Sequence, residues 1–193
     1  MPYNFRAVCR PLLALLFSCL IGAVCGQSLA NDSTAGLSFT RSTTVPLNAV
    51  MLFDRAMEAW TWTFGKEPGG KLLRNDRAAG VIEGTARVNF RSGMLSNREE
   101  TMGTIQYRVI INITTGECRV MISELEHTGN RSSPSGGIHA GPLVRSAVPP
   151  HRVRGMGRSS SMKLYAEVKE VATARINSLM QAFDARLRAG AAP

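Results

Sequence analysis

From Leu37 to Leu47 apolar and polar residues alternate, with Leu37, Phe39 and Val45 on one side, and Pro46 closes the run. A period of two is the mark of a half-buried strand, and a proline, lacking an amide hydrogen, ends it. Asn48 then offers a side-chain acceptor to the first free amides of a helix. Behind it Ala49, Phe53, Ala56, Met57, Trp60 and Phe64 recur at helical spacing, and Gly65 with Pro68-Gly69-Gly70 stops the helix. Period two returns afterwards. Lys71–Arg74 predicts a short edge strand, Asn75 to Gly80 a turn, and Val81–Phe90 a strand with Ile82, Ala86, Val88 and Phe90 on one face.

A polar loop, Arg91–Glu100, leads to the clearest strand of the chain. There Ile105, Tyr107, Val109, Ile111 and Ile113 face one way, and Thr104, Gln106, Arg108 and Asn112 the other. Thr114-Thr115-Gly116-Glu117 predicts a hairpin turn, returning into Cys118, Val120 and Ile122 on the buried face. Residues 128–160 are rich in Gly, Ser, Pro and Arg and carry no period, which predicts a long flexible connection. A last helix runs from Ser161 to Leu187. Its apolar stripe is Tyr165, Val168, Ala172, Ile176, Leu179, Phe183 and Leu187.

Strand, helix, four antiparallel strands and helix make a two-layer α+β domain, a curved antiparallel sheet with both helices on one face. The domain spans 37–188, with a flexible lead-in at 31–36 and a tail at 189–193. The other face of the sheet is left to water or a partner, and Arg108, Arg119 and Met121 fall on it. With 193 residues and 44% of them hydrophobic, the chain is long enough for one such domain and too apolar for wholesale disorder.

The first thirty residues stand apart. Arg6 and Arg10 precede a mostly apolar run from Leu12 to Val24, and Ser28-Leu29-Ala30 offers a small-residue cut after Ala30, with Gly26 as an alternative. The run is short for a membrane span, so a cleaved signal peptide over 1–30 and export to the periplasm or beyond are expected. Three of the four cysteines, Cys9, Cys19 and Cys25, lie in this leader. Lipidation of Cys19 or Cys25 is the alternative, though Phe17 and Val24 fit a lipidation box poorly. After a cut at Ala30 only Cys118 remains, which excludes an internal disulfide.

Charge changes the picture once. Taking Arg6 and Arg10 from the net charge of +9 leaves +7 for residues 31–193. Five of those charges are Arg131, Arg145, Arg152, Arg154 and Arg158, in a stretch (128–160) with no acidic residue. Arginine forks bind phosphates and carboxylates, so this segment suits an anionic surface such as lipid headgroups or lipopolysaccharide. Its alternative is a plain solvated connector. Nucleic acid sits poorly with export, and the segment lacks interleaved aromatics for stacking.

The chemical motifs mostly dissolve on inspection. Gly65-Lys66-Glu67-Pro68-Gly69-Gly70-Lys71 mimics a phosphate-binding loop, but Leu72 stands where a hydroxyl should hold magnesium, and the segment follows a helix. His127, His139 and His151 are spaced too widely for a single-loop metal site. Glu99-Glu100 is a solvated carboxylate pair, and Cys118 points into the core without a histidine placed against it. Asn31, Asn112 and Asn130 open N-glycosylation patterns, a coincidence at Asn112, which lies in a predicted strand.

Several segments in order resemble the bacterial DUF4468 family. They are Leu52-Phe53-Asp54-Arg55-Ala56 leading to Trp60, Ala79-Gly80-Val81-Ile82-Glu83-Gly84-Thr85, Ile105-Gln106-Tyr107-Arg108-Val109, Thr115-Gly116-Glu117-Cys118-Arg119-Val120, Leu125-Glu126-His127 and Gly141-Pro142-Leu143. The resemblance covers most of 45–188. It implies exported or envelope proteins with a TBP-like fold of the topology above, and it brings no catalytic residue. The arginine-rich stretch departs from it. The fold name implies no DNA binding, since function lives in sites.

These features predict an exported, non-catalytic binding module without cofactor or metal. Its candidate interaction surface is Arg108 and Arg119 on the open face with Arg131, Arg145, Arg152, Arg154 and Arg158 in the loop. An envelope protein or an anionic surface is the expected partner. The alternative is an envelope hydrolase or transferase that uses Cys118 or a histidine of the long loop.

Overall fold

The computed structural model describes residues 34–95, 99–130, 132–133 and 136–189. Along them run β1 (Phe39–Thr44), α1 (Ala49–Trp62), β2 (Lys71–Asp76), β3 (Val81–Phe90), β4 (Gly103–Thr114), β5 (Glu117–Gly129), β6 (Gly141–Pro142) and α2 (Arg158–Ala189). The strands form one antiparallel sheet in the order β1-β5-β4-β3-β2, with β6 added beside β5. The fold is thus α+β, with the expected order of strand, helix, four strands and helix. It adds β6 and two single turns of 3-10 helix, Phe64–Lys66 and Glu99–Thr101. The leader and its cysteines, Arg131 and the tail from 190 onward lie outside the described residues.

The hairpin closes where expected. Only Thr115 and Gly116 separate β4 from β5, and Gly116 takes φ +79°, a backbone angle that glycine adopts without side-chain strain. Within β5 the register shifts once. Gln106 faces Glu126 but Arg108 faces Ser123, so Glu124 and Leu125 together stand opposite Tyr107. Glu124 is the extra residue, at φ +56°. The bulge inverts the parity of the strand, and Leu125 and His127 therefore point to the same side as Val120 and Ile122. Simple alternation does not anticipate it.

Both helices cover that side. Asn48 Oδ1 caps α1 by accepting from the Met51 amide at 2.9 Å. Leu52, Phe53, Ala56, Ala59 and Trp60 of α1 meet the sheet and α2, and the predicted stripe of α2 is buried in full. Gly84 in β3 makes room for Trp60: a Cβ there would lie 2.4 Å from the indole ring. Glu167 of α2 reaches to the β3–β4 loop, accepting from the Ser92 hydroxyl at 2.5 Å and from the amides of Gly93 and Met94.

The arginine-rich stretch corrects the expectation of an unpacked connector. Ile138, Ala140, Leu143, Val144, Val153 and Met156 are all buried. Gly141–Pro142 pairs with Glu126 and His127 just past the bulge, where β1 no longer reaches. Leu143 donates to Leu125 O at 2.8 Å and accepts from Leu37, while Arg145 N donates to Ala35 O. Ala35 and Gly36 of the lead-in are thereby tied down as well. Tyr165 and Lys169 of α2 complete the clamp. The Tyr165 hydroxyl accepts from Val144 N at 2.8 Å, and Lys169 Nζ donates to the carbonyls of Arg145 and Ser146. α2 begins at Arg158, three residues before the predicted start.

Candidate functional site

Strand alternation leaves one face of the sheet without helices. Across it run Val81–Asn112–Arg119–Ser42, Glu83–Ile110–Met121–Thr40 and Thr85–Arg108–Ser123 as cross-strand rows. Arg108 sits at the centre, and its charge is already answered. Its Nε and Nη2 donate to Glu83 Oε1 at 3.0 and 2.5 Å, and its Nη1 donates to Glu124 Oε1 at 3.0 Å. These hydrogen bonds, above all those to Glu83, hold the guanidinium pKa above its ordinary value. Arg119, at the hairpin end, leans on Ser42 Oγ at 3.2 Å and Glu117 at 3.4 Å. The opposite end of the face carries a polar groove of about 570 Å³ between Arg87, Thr104, Gln106, Thr128 and Asn130.

The other predicted arginines behave differently. Arg145, Arg152, Arg154 and Arg158 are exposed, and no carboxylate pairs with any of them among the described residues. They stand on a packed support, because Val153 and Met156 between them are buried and the Arg145 backbone is bonded on both sides. Next to Arg152 and Arg158 lies a cavity of about 380 Å³ with largely apolar walls. Val148, Pro149, Pro150 and Met156 supply one side, and Ser161 and Met162 in the first turns of α2 supply the other. Arg145 stands outside this group. The apolar residues were visible in the sequence, but a stretch without period gives no sign that they converge.

Cys118, the three histidines and two loop motifs are the remaining sequence candidates. Cys118 is buried on the inner face, and burial, reinforced by Asp184, pushes its thiol up to about 12. A thiol held that far from ionisation is a poor nucleophile. His127 is fully buried against the Phe90 ring, in an edge contact with centroids 5.1 Å apart. Its Nδ1 accepts from Ala140 N, and His139 Nδ1 accepts from Gly129 N, both at 3.1 Å. Burial, with His139 nearby, lowers the His127 pKa to about 4. His151 belongs to the rim of the apolar cavity, away from both. No cluster of three or more metal-ligating side chains occurs among the described residues. Gly65–Lys71 runs from a turn of 3-10 helix after α1 into the first residue of β2, and Glu67 within it accepts from Arg175 of α2. Glu99 and Glu100 begin a single turn of 3-10 helix whose backbone is bonded to Met102 and Ile138.

No protein-family model matches this chain, and no curated protein is significantly similar to it in sequence. Solved structures are similar at low identity. A DUF4468 family protein from Bacteroides ovatus aligns over 77% of this chain and 86% of its own, with 14% identity and a TM-score of 0.46. A TBP-like protein from Parabacteroides distasonis aligns over 77% and 92%, with 9% identity and a TM-score of 0.48. A weaker likeness, at 12% identity and a TM-score of 0.30, is to the ZhuI aromatase/cyclase of a Streptomyces species, over 80% of this chain and 98% of that one. These likenesses concern the fold alone.

Proposed function

We propose that this chain is an exported, non-catalytic binding module that engages an anionic surface through Arg145, Arg152, Arg154 and Arg158. The observation that carries the reading is their placement. Four exposed guanidinium groups with no carboxylate partner among the described residues stand on a buried footing, in a stretch that has no acidic residue. Unanswered arginines on a fixed support retain their full attraction for phosphates and carboxylates. The leader at 1–30 supports an envelope location, where such surfaces are lipid headgroups and lipopolysaccharide. The high pKa and burial of Cys118 and the burial of His127 weigh against the enzyme alternative.

The full chain mixed with vesicles of phosphatidylglycerol and phosphatidylcholine tests this. The leader, with Arg6 and Arg10, contributes equally to parent and variant, so the readout is the difference between the two in the salt-dependent bound fraction. At about 1 kcal/mol per basic residue near an anionic surface, the triple variant R152S/R154S/R158S should bind about a hundredfold more weakly. Equal binding to pure phosphatidylcholine vesicles, or an unchanged triple variant, would overturn the reading.

A further inference from the structure

We propose that the cavity between the 148–156 segment and the start of α2 is a binding site for a small acid with one short aliphatic tail, such as a medium-chain carboxylate or alkyl phosphate. The inference rests on the arginine reading above and names a ligand class for part of that surface. Three observations converge. First, the walls are apolar and open: Val148 is 51% and Met162 40% exposed, large hydrophobic side chains left in water around a hollow. Second, two cations stand at its rim. Arg152 and Arg158 line it beside His151 and Ser161, and no acid lies in 128–160 to answer them. The first carboxylate of α2, Glu167, is taken up by the Ser92–Met94 loop. Third, the first turn of α2 borders the hollow at Arg158 and Ser161, so the positive end of a 32-residue helix faces the same rim.

Size selects among anionic amphiphiles. Small-molecule sites run from about 300 to 1,000 Å³, mostly apolar with a few polar groups that fix orientation. A hollow of about 380 Å³ stands at the low end of that range. It suits one short tail and does not suit a two-chain lipid. The tail would replace water against Val148, Pro150, Met156 and Met162, while the acid lies against the two guanidinium groups. Carboxylate and phosphate share this chemistry, and the probes separate them.

Calorimetric titration of the full chain with octanoate, octyl phosphate, octanol and inorganic phosphate is the test, with vesicle binding measured on the same samples. Octanoate or octyl phosphate should bind at least tenfold more tightly than octanol or inorganic phosphate, and the stronger of the two names the head group. V148W, which fills the hollow at an exposed position without changing charge, should abolish that binding while its thermal unfolding and salt-dependent vesicle binding stay as in the parent. R152Q/R158Q should lower acid affinity at least tenfold and leave octanol unchanged. Equal affinity for octanol, or undiminished acid binding by V148W, would overturn the site. Loss of acid binding in every chain, with vesicle binding intact, would overturn the cavity proposal alone and leave the arginine surface standing.

Discussion

Arg108 places two of its nitrogens, Nε and Nη2, on a single oxygen of Glu83 across the β3–β4 pair, at 3.0 and 2.5 Å. With Glu124 on the third nitrogen, the most central arginine of the open face is an internal fastener of three strands. The bulge that puts Glu124 at φ +56° also brings its carboxylate within reach. R108E would set three carboxylates together. We expect a lower denaturant midpoint for R108E, a smaller drop for R108Q, and no loss of salt-dependent vesicle binding in either. A folded R108E chain with an unchanged midpoint and lost vesicle binding would return the site to the sheet face.

His127 links the fold to pH. Its folded pKa is about 4 against an ordinary 6.5, because burial disfavours the charged ring. The unfolded chain therefore binds the proton more readily. Stability from this residue is complete above about pH 6.5 and is lost as pH falls towards 4, by at most about 3–4 kcal/mol at ~1.4 kcal/mol per pK unit. Urea unfolding at pH 7, 5.5 and 4.5 should show that decline. H127N, whose Oδ1 stands where the ring Nδ1 accepts from the Ala140 amide but which does not titrate, should flatten it. The same slope in H127N would assign the effect to other groups.

Tyr107 offers a contrast. Its ring is fully buried and its hydroxyl has no hydrogen-bond partner among the described residues, while nearby Glu67 and Arg175 satisfy each other. An unpaired buried polar group costs about 1–3 kcal/mol. Y107F should consequently raise the unfolding midpoint, by about 1 kcal/mol of stability. A destabilised Y107F would show that the hydroxyl is partnered.

Cys118 should resist thiol reagents in the native state. The thiol is 1% exposed and held protonated by burial. Peptide mass mapping after treatment with a maleimide should show Cys118 unmodified in native protein and fully modified in urea. Rapid native modification would revive the enzyme alternative.

The legible parts of this fold are those where period sets the outcome. Ile105 to Ile113 and Tyr165 to Leu187 face the core as their spacing predicts, and Gly116 closes the hairpin that its φ suits. The Glu124 bulge was hidden, because one extra residue shifts parity without altering composition. The neutralisation of Arg108 was hidden too. Glu83 stands on one neighbouring strand and Glu124 in the bulge of the other, so only register brings them together. Residues 128–160 misled for a third reason. Their burial comes from isolated contacts to β5, the lead-in and α2, which leave no repeat in the sequence.

That last segment gives the strongest stability prediction. Leu143 is 1% exposed and fixes three neighbours at once: its amide donates to Leu125 O, its carbonyl accepts from Leu37, and the next amide, of Val144, is bonded to Tyr165. Leu143→Ala removes buried methyl groups from that junction and should cost about 2–5 kcal/mol. Replacing 138–156 by a short Gly/Ser linker removes six buried side chains, several of them worth about 1.5–3 kcal/mol each. Set against a typical total of about 5–15 kcal/mol, that loss should abolish cooperative unfolding. A free connector would behave in the opposite way, because exchanging one flexible loop for another changes closure entropy by only a fraction of a kcal/mol. Thermal melts followed by circular dichroism distinguish the two. A sharp transition near the parent midpoint in the linker variant would show that the segment adds nothing to the core, and would remove the rigid footing on which the arginine surface depends.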